Sequence, residues 1–284
     1  CYNKIVGDCT SDYPDISCWN TTGIYEMRYA FDSYNETNSF NDPLECWDVG
    51  QVTKMQNMFF NNTYFNQPID SWDVSKVKYM NGMFNGAISF NQPIDTWDVS
   101  QVERMGSMFS GATSFNQPIG DWTTSQVRFM YGMFIDSPFD QPIDSWDVSQ
   151  VTRMEDMFYD ASAFNQFIDS WDVSKVETME DMFNGATSFN QCLSTWAGKS
   201  PGDVTTTEML DGTNCPNGID SPDATTGPWC QNYLEGCFAP LNCAVKCNGT
   251  RQDVSSFGDD FYKLTNCYNK IVGDCTSDYP DISC

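Results

Sequence analysis

The sequence predicts a repeat solenoid: a parallel β ladder with short helical or 3₁₀ turns on its other side, flanked by a small disulfide-rich loop module. Three observations carry this. Trp47, Trp72, Trp97, Trp122, Trp146, Trp171 and Trp196 are spaced by 25 residues, except across a one-residue deletion before Phe139. M-x-x-M-F pairs keep the same register from Met55/Met58 to Met179/Met182. A fixed period of this length marks self-similar units that stack.

Within the copy that starts at Trp72, the apolar positions are Trp72, Val74, Val77, Met80, Met83, Phe84, Ala87, Phe90 and Ile94. Trp72 and Val74 alternate, which predicts a short strand, and from Val77 to Ala87 the step becomes three or four, which predicts one or two turns of α- or 3₁₀-helix. Pro93 ends the turn. Burying each of these side chains is worth roughly 1.5–3 kcal/mol, against roughly 1.5 kcal/mol of ordering entropy per residue, so one copy alone does not fold. Stacked copies pair their strands at roughly 4.8 Å per turn and share one core. The unbroken registers predict a continuous right-handed stack from about residue 24 to 197 with the tryptophans inward.

The pattern M-x-x-M-F-x-x-A-x-x-F-N-Q-P-I-x-x-W-D-V-S-x-V, over roughly half of the chain, resembles the BspA-like leucine-rich-repeat surface proteins. That resemblance implies a leucine-rich-repeat-like solenoid on secreted or cell-surface proteins that adhere or assemble. It brings no catalytic residues, and it says nothing of residues 1–26 and 197–284.

Taken in order, residues 1–18 form a cysteine-rich segment, CYNKIVGDCTSDYPDISC, that returns letter for letter at 267–284. Diverged repeats differ, so this identity points to one period of a longer tandem array with a unit of 266 residues. A recent duplication of an end motif, or an overlap, is the plainer alternative. One such unit holds ten cysteines, an even number that can close completely. Residues 19–46 match the repeat imperfectly, through Met27, Ala30, Phe31, Phe40, Asn41 and Pro43, and form an N-terminal capping turn. A bridge between Cys18 and Cys46 is expected to close it. Residues 47–197 are the solenoid of 25-residue repeats. Residues 198–284 form a cysteine-rich C-terminal module and the junction to the next unit, with Cys215, Cys230, Cys237, Cys243, Cys247, Cys267, Cys275 and Cys284 as disulfide candidates. Cys192 replaces the Pro of other copies, and a Cys192 to Cys215 bridge would pin the last turn.

Thirteen cysteines without a histidine favour disulfides over zinc or thiol catalysis and place the chain outside the cell. Sequons stand at Asn20, Asn35, Asn61 and Asn248, which makes covalent glycans the expected modification. A formal charge of −25 opposes nucleic acid and anionic lipid. Neither a signal peptide nor a long apolar run is present, so the sequence reads as a mature, soluble segment without a membrane span.

Three columns bear on function. The Asn66/Gln67 column is expected to satisfy backbone groups at a corner. The tryptophans are expected in the core rather than on a sugar-binding face. Asp73, Asp98, Asp147 and Asp172, with Asp48, would stack as like charges on the outer face. Calcium binding there is one reading, and solvated carboxylates bonded to Ser75, Ser100 and backbone amides are the other. No cofactor is otherwise implied. Two function classes follow: an extracellular structural protein whose units run end to end with copies of themselves as a glycosylated fibre, or an adhesin that uses the exposed face. With no histidine, nucleophile elbow or phosphate loop, an enzyme is not expected.

Overall fold

The computed structural model describes residues 16, 19–33, 40–216, 219–227 and 229–230. The chain divides into units 1–231 and 232–284, and the described residues all belong to the first.

The described residues wind into coils stacked one on the next. Glu26, Lys54, Tyr79, Arg104, Phe129, Arg153, Thr178 and Thr205 each form a parallel bridge to the following one. The backbone around Tyr79 explains how. Met80, Gly82, Phe84 and Gly86 donate their N–H groups to Arg104, Gly106, Met108 and Ser110 of the next coil, at 3.0, 2.9, 2.9 and 2.7 Å. The residues between them turn inward on their own coil: Met83 donates to Met80, Asn85 to Gly82 and Ala87 to Phe84, at 3.1, 3.1 and 3.0 Å. Alternation of this kind needs left-handed residues, and Gly82 and Gly86 have φ of 66° and 71°. Asn57, Asn61, Ser107, Asp156, Asp160 and Asp181 take the same conformation at matching positions.

Two expectations are corrected here. The paired segment is not at Trp72 to Val74, where Val77 N–H closes a turn onto Val74 at 2.8 Å, but at the Tyr79 positions. The step of three or four from Val77 to Ala87 is not a helix: positive φ at every fourth residue breaks the helical path and sends alternate N–H groups along the stack. Among the described residues the helix is α1 (Trp196–Lys199).

The core follows the sequence periodicity. Every Trp of the 25-residue series, every M-x-x-M-F side chain and the Ile69 and Ile94 positions are buried. Phe59, Phe84, Phe109 and Phe134 stack at 5.5, 5.7 and 5.8 Å between ring centres. A second column runs Phe65, Phe90, Phe115, Phe139 at 6.0, 5.9 and 6.2 Å, and within a coil Phe84 lies 3.9 Å from Phe90. Trp72, Trp97, Trp122, Trp146 and Trp171 donate Nε1–H to Leu44, Ile69, Ile94, Ile119 and Ile143 of the preceding coil at 3.0–3.1 Å, whereas the buried Trp196 Nε1 at the end of the series has no acceptor among the described residues. In these five inner coils the indoles are buried without a stranded donor, which favours the column.

Both ends differ from the expected boundaries. Trp47 donates to Ile16 at 3.0 Å, and Trp19 closes its turn on Ile16 at 3.2 Å, so the first coil begins before residue 19. Met27 and Phe31 are buried there, while Ala30 is exposed. At the other end the ladder runs past 197 to Thr205, with Met209 and Leu210 in the Met and Phe positions. Thr206 in place of Met and Leu210 in place of Phe hide this coil from the repeat pattern. Residues 219–222 then cover its edge: Leu210 N–H donates to Asp220 at 2.8 Å, Glu208 N–H to Ser221 Oγ at 2.8 Å, and Thr206 Oγ1 to Pro222 at 2.6 Å.

Candidate functional site

The disulfide expectations need two corrections. Cys215 is bonded to Cys230, not to Cys192, because Leu193 and Trp229 form an antiparallel bridge that brings residue 230 against the last coil. Cys192 is disulfide-bonded as well. Cys46 is a free, half-buried thiol, so a bridge with Cys18 does not close the cap and the cysteines of the 266-residue unit do not all pair. Cys46 stands where Ser71, Thr96 and Ser145 donate hydroxyl protons to the preceding coil, and the column holds without a covalent link. Cys18, Cys237, Cys243, Cys247, Cys267, Cys275 and Cys284 lie outside the described residues, as do Asn35 and Asn248.

The amide column works as an acceptor ladder. Asn66, Asn91 and Asn116 Oδ1 accept from the N–H of Asn91, Asn116 and Asp140 at 3.0, 3.1 and 3.0 Å, and from Gln92, Gln117 and Gln141 Nε2 at 3.0, 3.0 and 3.1 Å. Only the oxygen is used for this step, which is why Asp140 fits the column: its Oδ1 accepts from Asn165 N–H and Gln166 Nε2 at 2.8 Å each. These side chains serve the corner of the coil.

The outer Asp column lies where the spacing puts it, with Asp73, Asp98, Asp147 and Asp172 exposed. Each Oδ1 accepts the N–H two residues on, from Ser75, Ser100, Ser149 and Ser174, at 3.1, 3.0, 3.0 and 3.1 Å. The Ser75 hydroxyl, then its N–H, holds Asp73 below the usual aspartate range, and Ser174 does the same for Asp172. Among the described residues no group of three His, Cys, Asp or Glu side chains is placed to hold a metal. One oxygen of each carboxylate is thus bonded within its own turn. Asn20 belongs to the same column, since its Oδ1 accepts from Thr22 N–H at 3.1 Å, and both Asn20 and Asn61 are exposed.

A more compact acidic set occurs at the left-handed positions. Asp156, Asp181 and Glu208 follow one another in adjacent coils, with φ of 56°, 54° and 51°, where Asn57, Gly82, Ser107 and Gly132 alternate a side chain with glycine. Burial, then Asp181, Glu155 and Glu180, pushes the Asp156 carboxyl above the usual range. A raised folded-state pKa favours the fold in acid, and this contribution is lost as pH rises through that value. Asp156→Asn is therefore expected to raise the thermal midpoint near pH 7, with the gain shrinking toward about pH 3, below the ordinary aspartate pKa. Calorimetry across that range checks it, and a gain equal at both ends would refute the electrostatic cause.

Sequence reasoning missed the bridge column, where cations and rings follow one another at the same 25-residue spacing. Arg104 lies over the Phe129 and Tyr79 rings at 4.9 and 5.7 Å, and Arg153 over Tyr131 at 5.3 Å. The signal in the sequence is the series Lys54, Tyr79, Arg104, Phe129 and Arg153, cations and rings that return once per repeat.

Comparison with known families places the repeat. Residues 2–118 and 117–217 both match the family described as "Mycoplasma protein of unknown function, DUF285". The chain belongs to this family. No curated protein and no solved structure matches it. Within this DUF285 chain the two matches together run from the first coil to the last described one, so the family pattern and the stacked core coincide. No helix among the described residues is long and apolar enough to cross a membrane.

Proposed function

We propose that this chain is a leucine-rich-repeat-like solenoid of the BspA-like kind and acts as an extracellular structural protein, one unit of a tandem array that forms a glycosylated fibre. The observation that carries this reading is the identity of residues 1–18 with 267–284. The part that Ile16 plays adds to it. Its carbonyl accepts the Trp47 indole, the role that Leu44, Ile69 and Ile94 play inside the stack, so this one residue of the duplicated stretch contributes to a coil. A copy of that stretch 266 residues later is suited to open the first coil of another unit. The disulfides at Cys192 and between Cys215 and Cys230 suit an oxidising, extracellular setting. The reading assigns no catalytic role and no cofactor.

Electron microscopy of native material tests it. Filaments with a regular axial repeat are expected, and isolated particles would favour the adhesin reading instead. Asn20 and Asn61 are expected to carry glycans, because both sequons are exposed. Mass spectrometry of enzymatically deglycosylated peptides reads this directly, and unmodified asparagine at both positions would remove the glycoprotein part of the proposal.

A further inference from the structure

Cations on the described surface gather on one set of repeat positions, which they share with Glu26, Glu103, Glu155, Glu177 and Glu180. In a chain of formal charge −25, every described Lys and Arg except Lys199 falls on the repeat positions from Lys76 to Asn81. Some of this charge is answered locally, by Glu26 for Lys54 and Arg28, by Glu103 for Lys78 at 3.5 Å, and by Glu155 for Arg153. Arg104 and Arg128 are exposed and have no carboxylate within ion-pair distance among the described residues. Between them lies Phe129, half-buried, its ring faced by Arg104. Arginine alternating with Tyr and Phe is the side-chain chemistry enriched at protein contacts and depleted elsewhere on surfaces.

Beside this stripe runs its complement. The Asp73 column begins three residues before Lys76, close enough that Lys76 lowers the Asp73 carboxyl, while Lys199 and then Lys175 lower Asp172, behind the larger effect of the serines. Next to it, Asp95 and Asp144 are exposed and make no side-chain hydrogen bond among the described residues. We propose that the cationic stripe docks on the carboxylate stripes of a second copy of this chain, the two stacks lying side by side and pointing the same way.

Three features select this partner. The stripes of both signs advance once per coil, so they share one pitch by construction, and a register set at one coil holds along the stack. Adjacent stripes of opposite sign are self-complementary about a two-fold axis parallel to the stack, where each cationic stripe meets the partner's carboxylates twice over. The net charge opposes approach at long range, but at about 0.15 M salt the screening length is about 8 Å, which weakens distant repulsion more than close pairing. The pairing is lateral. It goes beyond the end-to-end array, and it is measurable on a single unit whether or not native material is filamentous.

Sedimentation velocity of the full chain with its disulfides intact tests it. Concentration-dependent dimerisation is expected at about 0.15 M salt and its loss at about 1 M, where screening reaches about 3 Å. Arg104→Glu with Arg128→Glu is expected to weaken dimerisation at least about tenfold, with Arg104→Gln with Arg128→Gln weakening it less. Asp95→Lys with Asp144→Lys should fail in the same way, and mixing the two reversed chains should restore association between them. Near-UV circular dichroism unchanged from the parent certifies the fold of each variant, and the Gln pair serves if the Glu pair does not fold. A chain that stays monomeric at every salt concentration overturns the proposal, as does unaltered dimerisation of the reversed variants. So does binding of dextran sulfate to the stripe without self-association, which would assign it to an anionic polysaccharide.

Discussion

Trp97→Ala is expected to destabilise the stack by about 3–5 kcal/mol. The indole is 3 % exposed, packs 6.4 Å from the Phe84 ring and donates to Ile69 at 3.1 Å. Removing it opens a cavity between two coils and takes one of two donors from the Ile69 carbonyl, which keeps the Trp72 N–H, and neighbouring coils cannot close the gap, because the ladder at Tyr79 and the amide column at Asn91 hold their spacing. Urea unfolding followed by near-UV circular dichroism measures the loss. Trp97→Phe keeps much of the volume and loses only the donor, so it should cost about 1–3 kcal/mol. A loss below about 1 kcal/mol for the alanine variant would mean that the column is not what holds the coils.

Gly82→Ala is expected to cost about 2–4 kcal/mol, for two separable reasons. Its φ of 66° strains any side chain by about 1–2 kcal/mol, and an added Cβ would overlap Asn57 Oδ1 of the preceding coil. Asn57→Gly removes the second cause and leaves the first. In that background Gly82→Ala should cost only about 1–2 kcal/mol, and the difference between the two measurements is the coupling between adjacent coils. Equal costs in both backgrounds would assign the whole effect to backbone strain. The same logic explains the pairing of Asn61 with Gly86 and of Asp160 with Gly185, where the glycine of the next coil leaves room for the side chain before it.

These substitutions probe different kinds of information. The inward positions of Trp97, Met105, Phe109 and their equivalents were legible from spacing, because a side chain that recurs at a fixed interval in a stack must face the same way in every coil. The acceptor role of Asn91 was also legible, since a buried corner must pair its backbone N–H groups. The outer position of Asp73 followed from its alternation with Trp72 and Val74. Its bond to Ser75 was one of two readings, and the spacing could not choose between a turn and a cation, because both call for an exposed carboxylate at that position.

What spacing could not decide is where the chain pairs with itself. A step of three or four describes a helix, but it also describes a run of turns that alternate right- and left-handed residues, and both bury Met80, Met83 and Phe84 alike. Only the coil above settles the matter, by taking the N–H groups of Met80, Gly82 and Phe84 that a helix would have kept for itself. The same holds for Cys215. Its partner is Cys230 because the bridge between Leu193 and Trp229 delivers that residue, and no count of cysteines contains that contact. The sequence by itself determined which side chains are buried and how often the pattern returns, since burial is set by periodicity. Hydrogen-bond partners and disulfide pairs were left to the tertiary structure, because they depend on which distant backbone arrives beside a given residue.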